Sequence, residues 1–515
     1  MGTEVQSTLD AIRAAYVASS GKVIENADQT TAGLAVQGID LRPVAQLSVQ
    51  NTEYSDRFVK RIQGLPSPTV TGRIVQGLTG VASGRFGTAE EGKRGGTLSV
   101  SGSISGATHK TISVEQGVTD EAIFTAQNSF DPFVASADWA LAEAKRTNHR
   151  FNLFGRTTTA SDSYAPGALT SGAASTPAAT PATTGGFLPA ATYLISIVPL
   201  TGEAAYRTRG YALNSGFAGG SPAAGSELLP YTRTNADAST TTEAGGCGQK
   251  SAEVSSIVGG SGAGKVTLSW TPTVGALGYA VFAGTVSGTL YFQGVVPSAY
   301  AVWTVYNSGA NFQANTSVFT ADTSTDALQY DGLFTRLMAT GSGADVLNLT
   351  SGSSLTANSR GGIAEIDAML AKAWQKFLGF SYKHMAMSGT TYQALLTVLF
   401  GSPSTSKVTF LQQAMADDPV GLSRRSYSNP FSKTNLEIVT DPYIPDGVIL
   451  FGTDAIPNTV SGGVDSAPVS FVYLRDYYGD DWARVTRSRK SAVHLMGSVF
   501  LRAPSIFGVL GNIAV

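Results

Sequence analysis

The stretch KTISVEQGVTDEAIFTAQNSFDPFVASADWALAEAKRTNHRFNLFGR, residues 110–156, decides the fold that the sequence predicts. Its first residues alternate between polar and apolar, as a half-buried strand does, and Thr119 is placed to cap a short helix. Asp131 and Pro132 then stand at the N-cap and first position of a long helix, about 30 Å in length at 1.5 Å per residue. We expect this helix to end at Gly155 in a left-handed cap.

One face of the long helix is predicted to lie along a sheet, because apolar residues recur at alternating spacings of three and four, with Asn148 interrupting the series. The residues of this stripe are Val134, Ala137, Leu141, Ala144 and Phe151. Basic residues crowd the last turns, where we expect cations to oppose the negative end of the helix dipole. These residues are Lys145, Arg146, His149 and Arg150.

Length and composition exclude several classes of protein. At 515 residues the chain is too long for one ordinary core, so two or more domains are expected. A net charge of −2 argues against a dedicated nucleic-acid-binding domain. The single cysteine, Cys247, excludes an internal disulfide and a cysteine-cluster metal site. Without a secretory signal pattern or a long apolar run, we expect a protein that spans no membrane and is made in a reducing cytoplasm.

The N-terminal part of the chain predicts extended contacts. Residues 1–63 read as an arm without a core of its own, with short helices near residues 8–18 and 54–63. Residues 64–109 predict a long two-stranded hairpin with a polar, glycine-rich tip at residues 90–96. Because a two-stranded ribbon is marginal alone, we expect it to rest on a partner surface. A surface hairpin without a partner is the alternative.

A change of composition marks residues 157–325 as an insertion. It opens on a linker rich in Ser, Thr, Ala and Pro, residues 157–184, followed by a strand at residues 191–200. The text KVTLSWTPTVGALGYAVFAGT, residues 265–285, resembles the fibronectin type III and immunoglobulin-like sandwiches, with Trp270 closing one strand before the next begins. The resemblance extends to the rest of the insertion only through strand spacing.

After the insertion the pattern returns to mixed α/β. A helix is predicted at residues 361–379, and a second helix follows Ser388. The predicted strands are at residues 381–387, 436–440, 448–451, 469–474 and 491–501.

Taken in this order, arm, hairpin, strand, long helix, α/β body and late strand, the chain resembles the major capsid proteins of tailed bacteriophages with the Hong Kong 97 fold. Local texts match as well as the order. They are NLFG at 152–155, YDGL at 330–333, NLEIVTDPYIPDGVILFG at 435–452 and RKSAVHLMGSVFLRAPSIFGVLGNI at 489–513. The resemblance covers residues 1–156 and 326–515, and the immunoglobulin-like insertion departs from the basic family pattern.

The resemblance implies an α+β fold divided according to the family's plan. The implied parts are an N-terminal arm (1–63), an E-loop hairpin (64–109), a P-domain strand and spine helix (110–156), the linker and inserted immunoglobulin-like domain (157–325), a return to the P-domain (326–345), an A-domain (346–470), and a returning P-domain strand with a C-terminal A-domain segment (471–515).

The function that the resemblance implies is structural rather than enzymatic. Copies would pack as hexamers and pentamers into an icosahedral head around double-stranded DNA, with scaffolding, portal and decoration proteins as partners and without a cofactor. The protein would belong to the virion and assemble in the host cytoplasm. The inserted domain would stand on the outer surface, for adhesion to host glycans or for bracing neighbouring capsomers. The alternative is a cell-surface or tail adhesin whose sandwich is the binding module.

Two charged clusters are candidate contact sites. At the hairpin tip, Lys93 and Arg94 oppose Glu90 and Glu91, and we expect salt bridges between subunits there. The most basic short run contains Arg484, Arg487, Arg489 and Lys490. It could face packaged DNA through phosphate contacts, or it could pair with nearby carboxylates. Those carboxylates are Asp476, Asp480 and Asp481.

No catalytic or metal-binding residue is predicted. The text GGSGAGK at 259–265 has the glycines and lysine of a phosphate-binding loop, but Val266 stands where a hydroxyl would hold magnesium, so we expect a plain glycine turn. The four histidines lack the spacing of metal ligands, and we expect them to be satisfied core or surface residues. They are His109, His149, His384 and His494.

Overall fold

Two sheets, one long helix and an inserted β-sandwich organise the protein, and the α+β class is as predicted. The computed structural model describes residues 53–79, 99–126, 131–158, 166–170, 172–235, 238–259, 262–314, 317–358, 362–376, 380–400, 426–456, 467–484 and 486–515.

The helices in these ranges are α1 (Glu53–Phe58), α2 (Asp120–Ala126), α3 (Pro132–Phe154), α4 (Gly202–Arg207), α5 (Leu333–Leu337), α6 (Ala364–Lys376) and α7 (Gly389–Phe400). The strands are β1 (Lys60–Gln63), β2 (Thr69–Thr79), β3 (Ser99–Thr108), β4 (Lys110–Thr119), β5 (Ala178–Ala182), β6 (Ala191–Leu200), β7 (Tyr231–Thr234), β8 (Thr240–Glu243), β9 (Val254–Val258), β10 (Lys265–Ser269), β11 (Gly278–Val286), β12 (Thr289–Val296), β13 (Tyr300–Trp303), β14 (Asp345–Asn348), β15 (His384–Met387), β16 (Ser426–Ser428), β17 (Asn435–Thr440), β18 (Ile449–Gly452), β19 (Val469–Asp481), β20 (Ser488–Leu501) and β21 (Gly508–Gly511).

Helix α3 begins and ends at the predicted residues. The Asp131 carboxylate accepts the backbone N–H of Phe133 at 2.9 Å, and Thr119 likewise caps α2. The predicted left-handed cap at Gly155 is wrong, because this residue is extended, with φ −50° and ψ 146°. Glycine is required for another reason: a Cβ here would overlap the carbonyl oxygen of Tyr330.

The buried face of α3 differs from the predicted stripe. Val134 is 54% exposed, and of the predicted stripe only Ala144 is fully buried. A row of residues four apart is buried instead: Pro132, Ser136, Ala140, Ala144, Asn148 and Asn152. Small side chains let the helix approach β4 and β20, and the Tyr330 hydroxyl donates to Asn152 at 2.6 Å. Asn148, predicted to interrupt the stripe, therefore belongs to the buried row.

Three of the four basic residues in the last turns of α3 have carboxylate partners. Arg146 pairs with Glu143 one turn earlier, at 2.7 Å. His149 and Arg150 pair with carboxylates of other segments, at 2.9 and 3.2 Å. Carboxylates thus hold three of the four basic side chains, and their opposition to the helix dipole stays a prediction.

The helix α3 packs on a four-stranded sheet of order β1-β19-β20-β4. Strand β20 pairs antiparallel with both β19 and β4, while β1 runs parallel to β19. The helix predicted over residues 54–63 is wrong in its second half, because β1 adds to this sheet. The Arg61 side chain holds β1 in place by lying 4.8 Å from the Phe471 ring centre and 4.9 Å from that of Tyr477.

A second sheet has six strands, in the order β14-β21-β18-β15-β17-β16. The helices predicted at residues 361–379 and after Ser388 are confirmed as α6 and α7, and both contribute apolar side chains to a core with this sheet. Strand β21, in the apolar close of the chain, was not predicted. It pairs with β14, the edge strand, on one side and with β18 on the other.

Strands β2 and β3 form the predicted hairpin, here called the ribbon. Pairing runs from Thr69 opposite Thr108 to Thr79 opposite Ser99. This corresponds to a length of roughly 35 Å at about 3.4 Å per residue. The base packs on β20, where Gly72 faces the Phe500 ring. The predicted tip contacts of Glu90, Glu91, Lys93 and Arg94 lie outside the described residues.

The insertion contains a β-sandwich of two sheets, β13-β10-β5 and β12-β11-β6-β9. The strands predicted at residues 191–200 and 265–285 are confirmed as β6, β10 and β11. The predicted linker is partly wrong, because β5 lies inside it and pairs with β10. Thr170, also inside the predicted linker, donates its backbone N–H to Asp322 at 2.7 Å.

Candidate functional site

The basic cluster lies where β19, β20 and α2 meet at one end of the four-stranded sheet. Arg484 is 3.6 Å from Asp120, and Arg487 is 3.5 Å from Glu121. Arg489 is 3.4 Å from Asp481, and its guanidinium lies 3.8 Å from the centre of the Phe133 ring. These exposed pairs contribute little to stability, but they occupy the guanidinium groups with carboxylates of the same chain.

Of the carboxylates proposed as alternative partners, Asp481 alone pairs with this cluster. Asp476 pairs with Arg61, and Asp480 lies 3.8 Å from His494. The two other cluster arginines use α2 carboxylates, which sequence proximity could not indicate because α2 and β20 are far apart along the chain. The backbone carbonyl of Lys490 accepts a hydrogen bond from the backbone N–H of Trp482.

Exposed apolar side chains accompany the charges at this end of the sheet. Phe124 on α2 is 70% exposed, Trp482 after β19 is 48% exposed, and Val134 lies in the first turn of α3. We call Phe124, Val134, Trp482 and the four basic residues the sheet-end patch. Exposed aromatic and arginine side chains together are typical of protein contacts.

The four predicted core or surface histidines have partners, and two of them dock α1 onto the body. His149 contacts Ser55 of α1 through Nδ1 at 2.6 Å and Asp441 through Nε2 at 2.9 Å. His384 contacts the Tyr54 hydroxyl at 3.4 Å, and its ring stacks on Phe58 at 3.9 Å. Ser55, His149 and Asp441 have the composition of a hydrolase triad, but all three are buried, so a substrate could not reach them.

The remaining two histidines are His494, in β20, and His109, which lies between β3 and β4. His109 is buried and contacts Ser498 at 3.0 Å through Nδ1, and burial lowers its pKa below the ordinary value. A hydrogen bond from His384 lowers the pKa of the Asp454 carboxyl. Within the described ranges, no three His, Cys, Asp or Glu side chains are grouped as metal ligands would be.

The junction between the sandwich and the body was not predicted from the sequence. Glu203 of α4 lies 3.2 Å from Arg150 of α3, and Tyr206 stacks on Tyr443 with ring centres 5.0 Å apart. Arg209 donates to the Pro442 carbonyl at 2.8 Å. These partners are separated by tens to hundreds of residues, so no local pattern could have paired them.

The glycine-rich text GGSGAGK connects β9 to β10. A strand therefore follows it, where a phosphate-binding loop would need a helix. None of the helices in the residues described is both long enough and apolar enough to span a bilayer.

Comparison with known proteins gives structural neighbours and no family. No family model matches the chain, and no curated protein matches it. The neighbours include the capsid of Myoviridae phage XM1 (8% identity, TM-score 0.38, covering 96% of this chain and 100% of that one). They also include Microbacterium phage Oxtober96 (9%, 0.38, 93% and 95%) and the cyanophage A-1(L) capsid asymmetric unit (10%, 0.36, 92% and 96%). All three TM-scores are below 0.5, and no more than 10% of residues are identical.

Proposed function

We propose that this chain is a major capsid protein of the Hong Kong 97 type, which assembles with copies of itself into the shell of a phage virion around double-stranded DNA. The observation that carries this proposal is the ribbon, roughly 35 Å long, whose base packs on the four-stranded sheet. A two-stranded ribbon is marginal in water, so a neighbouring surface would stabilise it. In a closed shell, a second copy of the chain supplies that surface.

The elements fit the parts of that fold in order. The ribbon would be the E-loop, and β4, β20 and α3 would be the strands and spine helix of the P-domain. The six-stranded sheet with α6 and α7 would be the A-domain. The arm before α1 would reach over a neighbouring subunit, and scaffolding, portal and decoration proteins would be separate partners.

The sheet-end patch supports contact between subunits better than contact with DNA. Three of its basic side chains already face carboxylates, which would repel phosphate. Trp482 and Phe124 offer apolar area that DNA phosphates would not cover. We therefore assign Arg484, Arg487 and Arg489 to a subunit interface and retain Lys490 as a candidate DNA-facing residue.

We further infer that the inserted sandwich is an immunoglobulin-like domain with a changed strand order. Its sheets correspond to strands A-B-E and G-F-C-C′, with β6 in the position of strand F. The Tyr193 hydroxyl donates to the carbonyl of Pro189 at 3.1 Å, as in the tyrosine corner at the start of strand F. Strands F and G come before B in this chain. Adhesion to host glycans or contact with neighbouring capsomers remains its proposed outward role.

The proposal is tested by negative-stain electron microscopy of the chain, expressed alone and then with a candidate scaffolding protein. We expect closed shells, capsomers or tubes. Monodisperse trimers or monomers under both conditions would contradict the proposal and favour the adhesin alternative, which glycan-binding assays would then address.

Variants separate assembly from folding in the same experiment. Trp482→Ser in the sheet-end patch and Lys93→Glu with Arg94→Glu at the ribbon tip should each reduce particle yield without lowering the melting temperature of the subunit. Phe187→Ser tests the sandwich in the same way, because Phe187 is 77% exposed there, and unchanged particle yield would exclude this side chain from the contacts between subunits.

A further inference from the structure

We infer that the inserted sandwich is an internal strut, which joins α3 to the six-stranded sheet within one subunit and fixes the angle between them. The inference concerns the single subunit and does not require that shells form. It rests on three groups of contacts: two made by α4 and the residue Arg209 that follows it, and one made near Trp270 and Ala299 at the other contact with the body.

The first contact is an ion pair between α4 of the sandwich and α3 of the body. The Glu203 and Arg150 side chains are 12% and 21% exposed, and the closest oxygen and nitrogen are 3.2 Å apart. A pair this buried is specific, since either charge would be left without compensation if the other were removed. Immediately before Glu203, Gly202 packs on the Phe154 ring with no room for a Cβ.

The second contact joins the same short helix to residues 441–447, the loop that leads into the six-stranded sheet. Tyr206 stacks on Tyr443 at an interplanar angle of 30°, and Arg209 lies 4.6 Å from the Tyr206 ring centre. Tyr443 also meets the His149 ring of α3 edge-on at 4.9 Å, while His149 pairs with Asp441. Helix α4, helix α3 and the loop thus contact one another in a closed triangle.

The third contact lies on the edge of the six-stranded sheet near β14 and β21. The Ser351 hydroxyl donates to the Trp270 carbonyl at 2.6 Å, and the Ala299 N–H donates to Asn512 at 2.5 Å. The Asn512 side chain donates in turn to Leu349 at 2.6 Å, which connects the sandwich to strand ends of the sheet.

The connections of the insertion are held as well. The Asp326 N–H donates to the Arg156 carbonyl at 2.8 Å, and the Gly332 N–H donates to that of Gly155 at 2.8 Å. A domain that only decorated the surface would need no more than these two connections to the body. The three additional contacts remove its rotational freedom, so the sandwich transmits the orientation of α3 to the sheet.

The test is a charge-swap cycle read by hydrogen exchange in unassembled subunits. Glu203→Arg and Arg150→Glu should each speed exchange about tenfold or more in residues 441–447 and in the last turns of α3, and the double swap should return both segments toward wild-type rates. Glu243→Arg is the matched control, because Glu243 pairs with Arg233 at 3.6 Å on the exposed hairpin of β7 and β8. It should leave both segments unchanged.

Exchange that rises only inside the sandwich in the single variants would overturn the strut. If the swapped chain fails to fold, Tyr206→Ala decides the question, because it removes the ring stack without burying a charge. Faster exchange in residues 441–447 would then support the strut, and unchanged exchange there would overturn it. Since unassembled subunits are measured, the outcome does not depend on whether the capsid proposal holds.

Discussion

Gly155 ends α3 in an extended conformation, and the absence of a side chain makes room for the chain that returns from the insertion. The end of the helix at this glycine was predictable, because helices commonly end at a glycine. The reason why a glycine is required was not predictable, because the atom that a Cβ would overlap belongs to Tyr330, far along the chain. The local sequence thus locates the end of the helix, whereas the contact with distant Tyr330 explains why the residue there is a glycine.

Gly155→Ala should lower the free energy of unfolding by about 1–3 kcal/mol, because the new Cβ would overlap backbone oxygens that cannot rotate away. Besides the Tyr330 oxygen, it would lie 2.9 Å from that of Phe151. Chemical denaturation measures the change. Gly210→Ala is the control, since no atom lies within 4 Å of a Cβ there. Equal denaturation midpoints for the two variants would show that the helix end can relax.

His109 gives the stability a pH dependence whose sign follows from its burial. Burial lowers its pKa in the folded state, whereas the unfolded chain binds a proton at the ordinary value. Its contribution to stability is complete above the ordinary pKa and is lost as the pH falls toward the folded pKa. His109→Gln removes the titration, so the free energy of unfolding should fall less steeply between about pH 7 and pH 5 than in the wild type. Parallel curves from denaturation at several pH values would refute this.

At the scale of the element, α3 shows where hydrophobic periodicity fails. The pattern selected Val134, Leu141 and Phe151 because apolar residues recur there at spacings of three and four. The buried row with a spacing of four instead carries small and amide side chains, because a close approach to the sheet leaves room for little else, and the large buried residues Leu153 and Phe154 come only in the last turn. The Tyr330 hydroxyl lies 2.6 Å from the amide oxygen of Asn152 and 3.0 Å from that of Asn148, and periodicity cannot identify such a distant partner.

Ala140→Leu should cost about 1–3 kcal/mol of unfolding free energy, because Ala140 is fully buried in this narrow interface. Lys145→Leu provides the comparison on the exposed side of the same helix and should have little effect. Thermal unfolding of both variants measures the difference. A melting temperature for Ala140→Leu that matches the Lys145→Leu value would mean that the helix can move away from the sheet.

At the scale of the whole molecule, the elements were more predictable than their partners. The caps of α2 and α3, the ribbon pairing, α6, α7 and most strands follow from local signals. Pairing with other strands, which local signals do not show, makes strands of several segments that were missed: β1, β14, β16, β21 and, inside the low-complexity segment, β5. Strands β7, β8, β9, β12 and β13 of the insertion were indicated only by strand spacing. The sheet-end patch was half predictable: its basic run is visible in the sequence, but the α2 carboxylates opposite are not.

The pairing of β4 with β20 has a consequence for synthesis. The two strands join residues that are roughly 370 to 390 positions apart, from Thr119 opposite Ser488 to Lys110 opposite Gly497. At about 5–20 residues per second, a ribosome needs on the order of 20–80 seconds to make the intervening chain. Throughout that time α3 has β4 beside it but lacks β20, the other strand on which it packs. We therefore expect the nascent chain to need chaperones, or earlier folding of its own sandwich, to keep the exposed edge of β4 from aggregating before translation ends.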